Sequence, residues 1–182
     1  MNKHLSKYYI LILLAVMFAA PGIAAYLFYQ NPAWLGSAKI NKGTLLTHPI
    51  LLSSPGDHSK WRIVFWNPGA CEKVCTNQLD VLARVRLALG RKLYQVDQWL
   101  VVDEHSLPLT RSLSDILKAH DFKHTRLSVA QTKQLALLPA NPRIFIANPD
   151  NYLILSYQAG VNPDDIYKDL KLLLNTTETK SG

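Results

Sequence analysis

Between Tyr9 and Phe28 the sequence carries no charged residue, it contains no low-complexity tract or cluster of basic side chains, and only two of its 182 positions are cysteine. Each absence narrows the possibilities. With 48% hydrophobic and 18% charged residues and no biased tract, the chain is not a disordered binder, which would bury too little apolar surface to offset the entropy of ordering. The formal charge is +7, but Lys3 and Lys7 supply two of the 20 basic residues, leaving 18 against 13 acidic ones scattered among them. No stripe tracks a phosphate backbone, so nucleic acid is excluded as a partner. The mild excess suits an anionic lipid surface or an acidic patch on a membrane partner.

The uncharged stretch Tyr9 to Phe28 has the length of a helix crossing a hydrocarbon core of about 30 Å. Lys3 and Lys7 precede it and no basic residue follows until Lys39, so the positive-inside rule puts residues 1–8 in the cytoplasm and the rest of the chain outside. Tyr8 and Tyr9 at one end, and Tyr26, Tyr29 and Trp34 at the other, suit the two headgroup belts. Pro21-Gly22 is tolerated because freed backbone groups are satisfied locally. A cleaved signal peptide is the rival reading. Its apolar core is shorter, about 7–15 residues, and Ile23-Ala24-Ala25 is a poor cleavage site followed by more apolar residues. Either way the domain is exported. The expected organisation is a span over 9–28, a tether over 29–41, one folded domain over 42–175 and a flexible tail over 176–182.

Within the exported part, Gly43 to Leu46 and Pro49 to Leu52 read as short extended pieces, set off by the turn-rich Ser53 to Asp57. Trp61 to Trp66 is a β-branched and aromatic run whose continuous apolarity predicts a strand buried on both faces. After Asn67-Pro68-Gly69-Ala70, the positions Cys75, Leu79, Leu82, Val85 and Leu89 recur on one helical face, and Gly90 with Arg91-Lys92 ends the helix. Trp99 to Asp103 is a second strand, followed by a helix around Leu113 to Ala119 starting near Ser112, and by a short helix over Val129 to Leu137 capped by Ser128. Arg143 to Ala147 and Tyr152 to Tyr157 form a hairpin about Asn148 to Asn151. A closing helix has Asn162 as cap, Pro163 at its first position, Asp164 and Asp165 in its first turn, and Ile166, Leu170 and Leu173 on one face. The fold class is therefore α/β, a mixed sheet flanked by helices.

The two cysteines, Cys71 and Cys75, stand in a C-x3-C spacing where a strand, a tight loop and a helix meet. Residues i and i+4 share a helical face, and a helix N-terminus favours a thiolate, with Lys73 adding positive charge. Such a pair forms and resolves a mixed disulfide, holds a soft metal such as Cu(I), or serves as a structural disulfide. A bridge over so short a loop removes little unfolded-chain entropy, which weakens the structural alternative. Asn141-Pro142 directly before the strand at Arg143 stands where a thioredoxin-like site carries a proline facing the cysteine loop, which makes Pro142 a third candidate.

The span, the opening Gly43-Thr44-Leu45-Leu46, the strand ending Phe65-Trp66, the C-x3-C pair and the Asn148 to Asn151 hairpin before a closing helix resemble the SCO/SenC family of membrane-anchored cytochrome oxidase assembly proteins, as a divergent member. The resemblance covers about Lys42 to Leu174. It implies a thioredoxin-like fold, a domain on the periplasmic side of a bacterial inner membrane, and copper bound by the two cysteines with a distant histidine. It also implies a partner, a cytochrome oxidase subunit or another exported thiol protein, whose copper centre is loaded or reduced. Thr76 stands where the family has proline after the second cysteine, and Ala140 falls near the family's histidine, with no histidine after His124. Cys71 and Cys75 are then the only metal ligands carried over. His105 at the end of the second strand, and His120 and His124 on or after the following helix, read as surface residues, and Asp103 as a turn former or an acid-base aid to thiol exchange. The sequence thus points to a SCO-like factor acting by thiol-disulfide exchange, with a general exported reductase and a docking module with a structural disulfide as alternatives.

Overall fold

The computed structural model describes residues 3–31, 41–52, 59–104, 106, 108–139 and 143–180, and separates them into two units, Met1–Ile40 and Asn41–Gly182. The first unit contains helix α1 (Lys3–Gln30), which runs without a break through Pro21. Its segment Tyr8–Gln30, 23 residues, is long and apolar enough to cross a membrane; at 1.5 Å per residue it extends about 35 Å. The helix overruns the expected boundary at residue 28, and residues 32–40 of the expected tether lie outside the described residues.

The second unit is a six-stranded mixed sheet in the order β1-β6-β5-β2-β3-β4, with helices packed on it. Its elements are β1 (Thr44–Leu51), β2 (Trp61–Asn67), α2 (Lys73–Ala88), a 3₁₀ turn (Gly90–Gln95), β3 (Val96–Asp103), α3 (Arg111–Ala119), β4 (Phe122–Leu127), α4 (Val129–Ala136), β5 (Ile144–Ala147), β6 (Tyr152–Tyr157) and α5 (Pro163–Lys180). Strands β2, β3 and β4 run parallel, while β5 is antiparallel to β2 and β6, and β1 is antiparallel to β6. This is the mixed sheet flanked by helices that the alternating elements predict, and it has the thioredoxin-like form that the family resemblance implies.

Strand β2 is central, and its side chains divide between two cores. Ile63 and Phe65 join Leu79 and Leu82 of α2, Leu113 and Leu117 of α3, and Ile166 and Leu170 of α5 on one face. Val64 and Trp66 join Trp99, Phe145, Leu127 and Leu135 on the other, which α4 covers. The period of two along each strand sends neighbours to opposite faces, which is why a strand buried on both sides is continuously apolar.

Several expectations are corrected. The two extended pieces near Gly43 are one strand, β1, whose pairing with β6 slips between Leu45 and Ile50 and so admits Pro49 at an edge position. Helix α3 begins at Arg111, one residue before the expected Ser112, because the Thr110 hydroxyl accepts the Leu113 N–H at 3.3 Å. His120 caps the end of α3, but His124 lies in β4, a strand with no counterpart among the elements expected from the sequence, paired opposite Leu100. Helix α5 continues to Lys180, through the residues expected to form a tail; the Thr176 hydroxyl donates to the Leu172 carbonyl at 2.8 Å within it.

The start of the unit is tied to α5. Asp169, 2% exposed, accepts the backbone N–H groups of Lys42 at 2.9 Å and Gly43 at 2.7 Å, and the Tyr157 hydroxyl at 2.7 Å. Burial, reinforced by the hydrogen bond to Asp169, pushes the Tyr157 phenol far above its ordinary range.

Candidate functional site

Strand β2 ends at Asn67, whose side-chain amide donates to the Gly69 carbonyl at 2.8 Å and shapes the loop that follows. The Glu72 N–H closes back on the Ala70 carbonyl at 3.1 Å, and α2 begins at Lys73. Cys71 therefore stands two residues ahead of the helix, and Cys75 is its third residue. They are joined by a disulfide with a Cα separation of 5.1 Å. The two sulfurs are unequally placed. Cys75 is 5% exposed and packed in the core with Leu79 and Phe65, whereas Cys71 is half-buried at its margin. An attacking group meets Cys71 first.

The first turn of α2 is also distinctive in its capping. Thr110 caps α3, Ser128 forms a capping box with Gln131 on α4, and Asn162 accepts the Asp164 N–H at 3.1 Å on α5. Glu72 occupies the corresponding position of α2 with no side-chain hydrogen bond to the helix. The first-turn N–H groups thus lack a capping side chain, and their partial positive charge lies next to Cys71, where it favours a thiolate released by reduction. Thr76 donates its N–H to the Glu72 carbonyl at 3.0 Å, a bond that a proline there would forfeit.

Two depressions flank the disulfide. Beside Cys71 a cleft of about 490 Å³ lies between Pro68, Gly69 and Ala70 on one side and Pro108, Leu109 and Leu113 on the other, with Val102 among its lining. Beside Cys75 a hollow of about 340 Å³ is lined by Phe65, Val74 and Ala159 among others. Val74 itself is 84% exposed, an apolar side chain offered to solvent between the two cysteines.

The other candidates fall as follows. Asp103 ends β3; its carboxylate accepts from the Trp66 indole at 3.3 Å and the Thr132 hydroxyl at 3.4 Å, and its carbonyl accepts the Ser106 N–H at 3.1 Å. Trp66 belongs to the core on the sheet face opposite α2, so one carboxylate oxygen is engaged toward that face, while Asp103 also lines the cleft beside Cys71 and its backbone carbonyl forms the turn. The Arg143 guanidinium stacks over the same Trp66 ring, 5.1 Å from its centroid. His120 lies 3.9 Å from Asp80, and His124 lines a separate hollow with Pro108 and Leu109. His105, Ala140, Asn141 and Pro142 lie outside the described residues.

A copper centre of the kind the resemblance implies needs a third donor. Among the described residues no group of three or more histidine, cysteine, aspartate or glutamate side chains stands together. Cys71 and Cys75 are two donors only, so the described residues do not complete such a centre. The chemistry they do provide is that of a dithiol with one accessible and one sheltered sulfur. The cleft was not legible in the sequence, since its walls, Pro68 to Ala70 and Pro108 to Leu113, come from segments distant in the chain.

No curated protein sequence matches this chain. Among solved structures it is similar to the thioredoxin domain of a thiol-disulfide oxidoreductase from Bacteroides vulgatus, with 14% identity over 64% of this chain and 80% of that one and a TM-score of 0.43. It is also similar to copper-bound ScoI from Bradyrhizobium japonicum (15% identity, 62% and 83% covered, TM-score 0.43) and from Arabidopsis thaliana (13%, 63% and 86%, TM-score 0.44). At these identities the likeness concerns the fold alone. Residues 61–177, from the first residue of β2 into α5, match a protein family described as the transmembrane-like, thioredoxin-like, C-terminal domain, and the chain belongs to that family.

Proposed function

We propose that this protein is a membrane-anchored thiol-disulfide exchange factor whose domain works outside the cytoplasm. The supporting observation is the disulfide between half-buried Cys71 and buried Cys75 at the uncapped start of α2. In the reduced protein the Cys71 thiolate attacks a disulfide of the partner. One partner sulfur leaves as thiolate, and Cys71 is held in a mixed disulfide. The Cys75 thiolate then attacks Cys71 Sγ, which releases the second partner thiolate and forms the Cys71 to Cys75 bond. Two electrons pass to the partner, and a dithiol donor must return them.

The partner class we propose is a cytochrome oxidase subunit whose metal-binding cysteines must be reduced before they accept metal. It rests on the SCO/SenC resemblance of the chain from Lys42 to Leu174. Placement of the domain in the periplasm rests on Lys3 and Lys7 preceding an uncharged span. Pro142 is assigned the place facing the cysteine loop on the same resemblance.

Trapping tests the reading. Full-length Cys75→Ser, expressed in its own membrane, leaves Cys71 without its resolving partner and should accumulate mixed disulfides that dithiothreitol releases. Cys71→Ser should accumulate few. Equal trapping by both variants, or a disulfide potential below about −300 mV with no exchange, would mean that the bridge is structural.

A further inference from the structure

The cleft beside Cys71 has a chemistry of its own. Pro68, Val102, Pro108, Leu109 and Leu113 give it apolar walls, and its volume of about 490 Å³ is within the 300–1,000 Å³ range of small-ligand sites. It adjoins the accessible sulfur, not the sheltered one. Its charged lining residues among those described are Glu72, which is exposed, and Asp103, whose carboxylate is engaged by Trp66 and Thr132; both are acidic. No lysine, arginine or histidine lines it among the described residues.

We infer that this cleft is a specificity subsite for the protein partner, taking an uncharged apolar side chain next to the partner's reactive cysteine and disfavouring an acidic one. This deepens the exchange reading and rests on it. The occupant follows from geometry and charge together. A sulfur that exchanges with Cys71 must reach Sγ at the cleft's edge, so the residue flanking it in an extended segment is carried to the apolar walls. A carboxylate brought against the apolar walls loses water, and the charged side chains that line them among the described residues, Glu72 and Asp103, repel it.

The test compares two tripeptide thiols as reductants of the full-length oxidised protein in detergent, one with leucine and one with aspartate beside its cysteine, with rates expressed per thiolate. 2-Mercaptoethanol is the reference thiol. The leucine peptide should react at least about tenfold faster, the discrimination typical of an apolar side chain entering a fitted pocket. Gly69 offers a way to obstruct the cleft: it is among the lining residues and a Cβ there meets no atom within 4 Å, so Gly69→Phe adds a ring at the lining without a clash at its root. In that variant the ratio of the two peptide rates should fall to about one. Equal rates for both peptides in the parent protein, or an unchanged ratio in Gly69→Phe, overturns the subsite while leaving exchange intact. Failure of all three thiols to reduce the disulfide overturns the exchange reading itself.

Discussion

Replacing Asp169 by alanine removes a side chain that joins the beginning of the second unit to its last helix. Three donors converge on the carboxylate: the N–H groups of Lys42 and Gly43 and the Tyr157 hydroxyl. Lys42 is exposed, so water replaces its lost bond; Gly43 and Tyr157 are buried, and theirs are not replaced. A buried donor without a partner costs about 1–3 kcal/mol, so two of them, taken toward the lower end, give a loss of about 3 kcal/mol. Asp169→Asn keeps one acceptor oxygen but turns an NH₂ group toward another donor, and should lose about half as much. The assay is urea unfolding of the full-length oxidised protein in detergent, followed by tryptophan fluorescence, with the midpoint and slope compared across the three proteins. If both variants stay within about 0.5 kcal/mol of the parent, at the level of ordinary surface substitutions, the convergence on Asp169 does not hold the domain together as argued.

Three further outcomes are expected. Gly43→Ala would set its Cβ 2.6 Å from the Tyr157 ring, whose hydroxyl is pinned by Asp169, and should cost about 1–3 kcal/mol in the same unfolding assay. Tyr157 stays protonated in the folded state well above the pH at which it ionises in the unfolded chain, so its contribution is complete below about pH 10 and is lost as pH rises beyond it. Stability should fall there by about 1.4 kcal/mol per pH unit from this group, and unfolding curves of Tyr157→Phe between pH 9 and 11 should lack that part of the slope. Glu72→Ser supplies the missing cap of α2 and should raise the stability of the oxidised protein by about 1 kcal/mol while slowing exchange at Cys71, because the new hydroxyl engages N–H groups that otherwise favour the thiolate. Unfolding and stopped-flow reduction check the two halves of that expectation separately.

What the sequence made legible follows local pattern. Trp61 to Trp66 announced a doubly buried strand because both sheet faces are covered, and the Cys75-Leu79-Leu82-Val85 spacing announced α2 because one helical face carries its packing. Strand β4 gave no such signal. It lies at the sheet edge, its middle residues Lys123, His124 and Arg126 are exposed, and its two buried residues, Phe122 and Leu127, are five apart and therefore point into different cores. No alternation survives in Phe-Lys-His-Thr-Arg-Leu. The Asp169 cluster left a faint mark, a carboxylate within the apolar stripe of Ile166, Leu170 and Leu174, but two of its three partners, Lys42 and Gly43, lie more than 120 residues away in the chain. The cysteine site divides in the same manner. Its strand-loop-helix position is local and readable, whereas the cleft depends on Pro108 to Leu113 being folded back beside Cys71.

That division bears on what the disulfide is for. The chain-entropy relation assigns a bridge that closes a loop of about five residues only about 2 kcal/mol, against about 3 kcal/mol for fifteen. The domain already has two apolar cores and a latch at Asp169, so a bridge placed for stability would do more by joining distant segments. Instead it joins two residues of one turn, keeps one sulfur in the core and leaves the other at the edge of a cleft. Burial of Cys75 shields it from partners without preventing its attack on Cys71, whose Cα is 5.1 Å away, so the intermediate resolves within the molecule. On the proposed exchange reading, the order of events follows from the unequal exposure of the pair: the half-buried sulfur would exchange with a partner, and the buried one would decide how long that partner stays.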